Sequence, residues 1–366
     1  MRGTLIEAHI ADIHFGAMDP QVQLNILRDQ FLSKIAMIPT LDIVSINGDY
    51  FDKKYMANSN VIICANQFMF ELVNLCRQRN TSIILIHGTE SHDAHQLGLY
   101  YQYVEDPTID FYIIETAQFI TVKGKTILCI PEENNRGSEY YNIMFSYREY
   151  DACYLHGTFV GSIYGANKPD LSARRPVFSI KDFWRCTGPI ICGHVHLALC
   201  LEKHVYYCGS PMRWAFGEEQ PKGFLILCHN LDTREYYIHM EEIISFQYVT
   251  VDVDALMMSD PRAIINYLED MKAHGVDYVK LKIKSNDYLP IIKDYFHASD
   301  WVSYDVVKTT LSVDEDVMQS KYQGLDFLTD PSIDEFTKFV MYVNSQEGEG
   351  FITVEKLKQI LKEEIR

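Results

Sequence analysis

The sequence predicts an α/β protein: a mostly parallel sheet with helices on both faces, then a smaller α/β unit and a helical tail. Three observations predict it. Between residues 4 and 93 an apolar strand followed by a polar loop occurs three times, with a helix between successive strands, as expected of parallel strands joined by crossover helices. From about residue 119 to 239 short β segments predominate, and after residues 243 to 246 a βαβαβ pattern begins.

Thr4 to Ala11 alternates apolar and polar residues and predicts a strand that delivers Asp12-Ile13-His14 to its carboxyl end. Asp19-Pro20 supplies an N-cap and a proline at the first helical position, opening a helix to about Met37. Leu41 to Ile46 is a second strand, ending at Asn47-Gly48-Asp49-Tyr50-Phe51-Asp52, and a helix over about Asn58 to Arg79 follows. Ser82 to Ile86 is a third, ending in His87-Gly88-Thr89-Glu90-Ser91-His92-Asp93. In such sheets the ligand site lies beyond the carboxyl ends of the strands, where all three polar loops fall.

Lys123-Gly124-Lys125 centres a hairpin between Phe119 to Val122 and Ile127 to Ile130. A helix around Tyr140 to Tyr147 precedes a strand, Ala152 to Leu155, that ends at His156-Gly157. The strand Pro189 to Cys192 runs into Gly193-His194-Val195-His196, where the glycine permits a sharp turn and both imidazoles can face one point. Segments near Ala198 to Leu201, Val205 to Cys208, Gly223 to Cys228 and Glu235 to His239 are expected to complete a second, more antiparallel sheet packed on the first.

The later unit reads as strand Tyr248 to Val253, helix from Asp260-Pro261 to Gly275, strand Tyr278 to Ile283, helix Tyr288 to Phe296 and strand Val302 to Val307. In the tail, Phe336, Phe339, Val340 and Val343 share one helical face, and Val354, Leu357, Ile360 and Leu361 another. The loop between them, Ser345 to Lys356, mimics a calcium-binding EF-hand. It has Ser345 and Lys356 where carboxylates are needed, so it reads as a helix-loop-helix without calcium.

Composition bounds the chemistry. With 47% apolar residues, the 366-residue chain can bury a sizeable core. No apolar run approaches a membrane span of roughly 18 residues. Glu7 interrupts the start where a signal peptide would stay apolar. Nine scattered cysteines without a Cys-x-x-Cys pair argue for reduced thiols, hence a cytoplasmic setting (host cytoplasm if the chain is viral). The net charge of −17 opposes casual binding to polyanions, so an enzyme acting on nucleic acid would need metal ions, local basic patches or a basic partner.

The strand ends together offer Asp12, His14, Asp49, His92, His156, His194 and His196. Carboxylates and imidazoles without thiolates suit Mn²⁺, Fe or Zn²⁺ better than an all-oxygen cage for Mg²⁺ or Ca²⁺. Six ligands exceed one open site and match two metals sharing a carboxylate.

Asp12-x-His14, Gly48-Asp49, Ser91-His92-Asp93, His156-Gly157 and Gly193-His194-x-His196 resemble the five motifs of the calcineurin-like metallophosphoesterases, over roughly residues 5 to 230. The chain resembles most closely the SbcD family of DNA-repair nucleases, counterparts of the nuclease subunit of MRN-like complexes. Gly48-Asp49-x-Phe51-Asp52 carries that likeness, as do Gly209-Ser210-Pro211-Met212-Arg213 with Glu218 and Lys222-Gly223, and the small domain plus helical tail.

The resemblance implies a four-layer metallophosphoesterase β-sandwich flanked by helices over residues 1–242. It also implies a DNA-binding capping domain over 243–310 and a partner-binding helix-loop-helix over 311–366. Asp12, His14 and His196 would hold one metal, His156 and His194 the other, with Asp49 bridging. His92 would stay outside the metal shell and contact the scissile phosphate or protonate the leaving oxygen. The implied cofactor is two Mn²⁺ per chain, with Mg²⁺, Fe or Zn²⁺ as other ions. The implied activity is 3′→5′ DNA exonuclease with single-strand endonuclease action, in end processing with an SbcC-type ABC ATPase clasped by the C-terminal helices. Oligomeric state is open, a homodimer included. Lys53, Lys54, Lys168, Arg174, Arg175 and Arg213 are candidates for phosphate contact.

The family usually reads Gly-Asn-His-Asp in its third motif, the Asn ligating the second metal. Gly88-Thr89-Glu90-Ser91-His92-Asp93 has two extra residues and no Asn, so Thr89, Glu90 or Ser91 would supply the missing oxygen. The alternatives are a phosphatase or small-molecule phosphodiesterase of the same superfamily, and a scaffold on this fold without catalysis.

Overall fold

Strand β1 (Thr4–Ile10) separates two environments by simple alternation. Leu5 and the following Ala11 face one apolar cluster, while Ala8 and Ile10 face another that holds the helices. The computed structural model describes residues 3–133, 136, 138–164, 168–169, 177–202, 204–213, 216–218, 220–256, 260–284, 287–296 and 301–306. It divides the chain into Met1–Asp305 and Val306–Arg366; the expected helix-loop-helix of 311–366 lies outside the described residues.

From Asp19, whose carboxylate accepts from the Gln21 and Val22 amides, α1 (Pro20–Ile26) passes through a π-helical stretch, Leu27–Leu32, into α2 (Ser33–Met37). Then come β2 (Ile43–Asn47), α3 (Asn60–Arg79) and β3 (Ser82–Ile86), the short α4 (Glu90–Asp93) and α5 (Tyr101–Val104), and β4 (Phe111–Ile114). β5 (Gln118–Val122) and β6 (Lys125–Ile130) form the expected hairpin, followed by α6 (Ser138–Tyr147) and β7 (Ala152–His156). Four two-residue strands, β8 (Thr158–Phe159), β9 (Ile163–Tyr164), β10 (Lys168–Pro169) and β11 (Val177–Phe178), pair as β8 with β11 and β9 with β10. β12 (Ile190–Gly193), β13 (Leu199–Leu201), β14 (Val205–Tyr207), β15 (Gly223–Asn230) and β16 (Tyr236–Glu242) complete the larger part.

Two six-stranded mixed sheets result, ordered β16-β15-β1-β2-β3-β4 and β13-β14-β12-β7-β6-β5. Leu5, Ile43, Ile84 and Ile86 of the first meet Ile120, Ile127, Cys129 and Tyr154 of the second in a buried layer. The first sheet's other face packs on Leu24, Phe31, Phe68 and Leu72 of the helical segments, and the second's on Tyr141 and Phe145 of α6. The layers therefore run helix, sheet, sheet, helix, which makes this an α/β fold.

Two sequence expectations need correction. The second sheet is parallel through β14, β12, β7 and β6, with antiparallel pairs only at its edges. The segments expected to extend it, β15 and β16, instead cover the open edge of β1, in register from Thr4↔Asn230 to His9↔Leu225. Alternation shows which faces a strand buries, but not which strand lies beside it. Strand β4 escapes sequence reading, because four residues are too few to carry a period.

Beyond Ile243, which is buried with the first sheet's helices, β17 (Tyr248–Asp252), α7 (Ala263–Ala273), β18 (Tyr278–Ile283), α8 (Leu289–Phe296) and β19 (Val302–Val306) follow the predicted order. They form a three-stranded sheet, β17-β18-β19, with its own core around Val279, Leu281, Ile264 and Leu268. No described helix is long and apolar enough to cross a membrane. All nine cysteines are thiols outside any disulfide, six of them buried.

Candidate metal centre

The site forms where parallel strands of both sheets end. β1 ends before Asp12 and His14, and β2 before Gly48 and Asp49. α4, after β3, carries His92; β7 ends on His156; β12 ends on Gly193, ahead of His194 and His196. Asp12, His14, Asp49 and His194 all adopt left-handed backbone, with φ of 51°, 48°, 51° and 89°. Non-glycine residues there cost on the order of 1–3 kcal/mol each and persist only where surrounding contacts hold them. Those contacts are present: the Asp12 and His14 amides donate to the Gly48 and Asp49 carbonyls at 3.0 Å, and the His194 amide donates to the Asp12 carboxylate at 2.9 Å. Gly48 has φ +87°, and a Cβ there would lie 2.1 Å from His156 Nδ1.

All seven sequence-predicted residues come together. Donor atoms of Asp12, His14 and His196 lie within 4.8 Å of one another, as do those of Asp12, Asp49 and His156, and those of His14, Asp49 and His92. His14 Nε2 is 3.1 Å from His196 Nε2 and 3.6 Å from Asp49 Oδ2, and His156 Nε2 is 3.3 Å from the same carboxylate oxygen. Asp49 is thus common to two of these groups. His92, expected outside the metal shell, is within ligand distance of His14 and Asp49, and its Nδ1 donates to the Asp52 carbonyl.

Sequence reasoning missed Glu132. Its carboxylate groups with His156 and His194, with Oε2 at 3.6 Å from His156 Nε2 and 3.2 Å from His194 Nδ1. Of the residues expected to supply the missing oxygen, Thr89 contacts carboxylates, its hydroxyl lying 3.1 Å from Glu132 and 3.3 Å from Asp49. Glu90 faces His87 and His95 instead, and Ser91 is exposed. A signal was available: Glu132 stands two residues past β6, itself parallel to β7, and so shares the strand-end position of the other site residues.

The donor set fits divalent cations. His156 is fully buried, and its Nδ1 proton goes to the Asn47 carbonyl at 2.8 Å. Its Nε2 makes no hydrogen bond among the described residues and faces two carboxylates. A lone pair among carboxylate oxygens is repulsive unless a proton or a cation lies between them, and the close His14–His196 nitrogens pose the same requirement. Burial holds His14 neutral, with its pKa pushed down to about 3, so its lone pair stays available. Burial also lowers the pKa of His156, but the Asp49 carboxylate outweighs it and holds a proton there when no cation does.

The segment the sequence singled out around residues 209–223 braces His196. Buried Lys222 donates to the His196 carbonyl at 2.9 Å and to Ser210 Oγ at 2.8 Å, and lies 3.4 Å from Glu218. Lys53 and Lys54 are exposed on the loop after Asp49, and Arg213 is half-buried, donating to the Gln220 carbonyl at 3.0 Å. Arg174 and Arg175 lie outside the described residues, as does the side chain of Lys168.

No family model matches the chain. It is 23% identical over 237 residues to "Putative phosphoesterase 244L" of Invertebrate iridescent virus 6, a match covering 62% of this chain and 79% of the viral one. Among solved structures, one chain at 10% identity aligns with a TM-score of 0.38, over 65% of this chain and 100% of its own. The protein of unknown function AQ665 from Aquifex aeolicus aligns at 13% identity and a TM-score of 0.23, over 50% and 94%. Structural likeness this low carries no argument, so the sequence match to a viral protein named a phosphoesterase is what the comparisons contribute.

Proposed function

We propose that the chain is a metal-dependent phosphoesterase that hydrolyses DNA phosphodiesters, trimming 3′ ends. One observation carries the hydrolase reading: carboxylates and imidazoles from six parallel strand ends converge around Asp49, with His156 Nε2 left facing carboxylates. The viral relative's name and the resemblance of the strand-end motifs support the same reaction class. The DNA substrate rests on the likeness of Gly209 to Lys222 to SbcD-type nucleases.

In this reading Asp12, His14 and His196 would hold one cation and Glu132, His156 and His194 a second, with the Asp49 carboxylate grouped with members of both sets. Bound divalent cations there supply Lewis acidity toward a phosphoryl oxygen and toward water. The chain does the rest. Asn47 fixes the His156 tautomer through its carbonyl, Thr89 orients the Asp49 and Glu132 carboxylates, and Lys222 anchors the backbone of His196. His92 donates its Nδ1 proton to the Asp52 carbonyl and keeps Nε2 free, from which the imidazolium form would give a proton to the leaving oxygen. The proposed partner is an SbcC-type ABC ATPase engaging residues 311–366, which would supply the basic surface that a chain of net charge −17 lacks.

The test offers metal-stripped protein Mn²⁺, Mg²⁺ or Zn²⁺ with end-labelled duplex DNA, single-stranded DNA and nitrophenyl phosphate. Metal-dependent trimming from 3′ ends, reduced at least about 100-fold by Asp49→Asn, is the expected result. Turnover of the small ester with silence on DNA would replace the nuclease with a phosphatase. Silence on both, with no metal retained, would remove the hydrolase reading.

A further inference from the structure

We infer that the turn from His87 to His95 is a separate cation site, in which His87, Glu90 and His95 take a divalent ion of the Zn²⁺ class. Their donor atoms lie within 4.8 Å of one another, and none of the three belongs to the groups gathered around Asp49. Glu90 Oε2 is 3.8 Å from His87 Nε2, and Glu90 Oε1 is 3.3 Å from His95 Nε2. The two imidazole rings are 5.7 Å apart between centroids and inclined by 35°. One carboxylate thus spans two ring nitrogens, each approached by a different oxygen.

Local folding brings the three together. His87 is the first residue past β3, and its amide donates to the Ile114 carbonyl at 2.9 Å while its carbonyl accepts from the Glu132 amide at 3.2 Å. Glu90 opens α4. Ala94 and His95 then take successive left-handed conformations, with φ of 43° and 59°, which turn the chain back so that His95 reaches Glu90. The Asp93 carboxylate closes the same turn from inside, accepting from the Gly88 and Phe51 amides at 2.7 and 3.0 Å.

A second observation points to a ligand. His87 is 5% exposed, yet its Nε2 makes no hydrogen bond among the described residues and is directed at Glu90. A buried polar atom without a partner is destabilising, a penalty that cation coordination removes. Two imidazoles and one carboxylate with an outward opening make a three-ligand set, leaving a fourth position for water. The opening is real: the His95 side chain is 77% exposed and that of Glu90 46%. Because His92 stands two residues after Glu90 in α4, an ion here ties down the turn that presents it. This is where the third motif carries its two extra residues, so the added length has a use.

The inference does not depend on the phosphoesterase reading, and one experiment separates them. Tag-free full-length protein, stripped of metal, is titrated with Zn²⁺, and the bound ion is counted by equilibrium dialysis with elemental analysis. His95→Ala and Glu90→Gln are compared with the parent chain and with Asp49→Asn. Each loop variant should bind one Zn²⁺ fewer per chain than the parent and lose part of the Zn²⁺-dependent rise in Tm, while its metal-free Tm stays unchanged. Asp49→Asn should leave the loop ion in place. If both loop variants bind as many ions as the parent, with the same Zn²⁺-dependent rise in Tm, the loop site is refuted. If the parent binds a single ion that His95→Ala removes and Asp49→Asn does not, the loop site stands and the centre around Asp49 fails.

Discussion

Glu132 shows how one residue sets the character of the centre. Its carboxylate places a negative charge beside His156 and His194, and Thr89 joins it to Asp49 through one hydroxyl. Glu132→Gln keeps the shape and the Thr89 contact but removes the charge. If the proposed two-cation reading holds, it should weaken binding at Glu132, His156 and His194 by at least about tenfold in calorimetric titration, with binding at Asp12, His14 and His196 little changed. Equal loss of both ions would mean that Glu132 supports the whole loop cluster instead. Strained backbone marks four other residues of the centre, since Asp12, His14, Asp49 and His194 all sit at positive φ.

Elements convert that chemistry into position. Helix α3 spans 20 residues between a Ser59 cap, whose hydroxyl accepts from the Ile62 amide, and a left-handed Asn80 that ends it. Its face of Ala65, Phe68, Met69, Leu72 and Val73 packs under the first sheet and so supports the strand ends that carry Asp12 and Asp49. Ser59→Ala should cost about 1 kcal/mol in denaturant unfolding and leave metal binding unchanged, because the cap satisfies a helix amide and touches no site residue. Strand β6 plays a different part: read as one arm of a hairpin, it is also a parallel neighbour of β7, and that pairing delivers Glu132.

At the scale of the whole molecule, a buried ionic network joins the two sheets. Lys125 of β6 donates to Glu7 of β1 at 2.6 Å and to the Tyr154 hydroxyl of β7 at 2.7 Å, and Tyr154 also donates to Glu7. Burial alone would raise the Glu7 pKa, but the Lys125 ammonium and His9 outweigh it and hold the carboxyl at about 2. A carboxylate depressed in the folded state stabilises above its unfolded pKa, and that stability is lost as pH falls through the folded one. Unfolding free energy should therefore decline between about pH 4.5 and pH 2, and Glu7→Gln should flatten that part of the profile. Lys125→Ala strands a buried carboxylate and should cost about 3–5 kcal/mol, whereas Glu7→Gln with Lys125→Met should recover much of the loss. If Lys125→Ala proves neutral in denaturant titration, the pair does not brace the sheets.

What the sequence determined by itself was local: which segments are strands, which faces they bury, and that Asp and His residues gather at strand ends. Those properties follow from alternation, helical period and capping, all read within a few residues. Hence the strand-end pattern alone names Asp12, His14, Asp49, His92, His156, His194 and His196, and the fold brings them together. Tertiary structure alone decided that β15 and β16 close the edge of β1 and that β6 pairs in parallel with β7, which puts Glu132, two residues past its end, at the site. It alone decided, too, that Glu90 turns from the main centre toward His87 and His95. The physical reason is separation along the chain: Thr4 pairs with Asn230, and Glu132 meets His194, through contacts that no local period encodes.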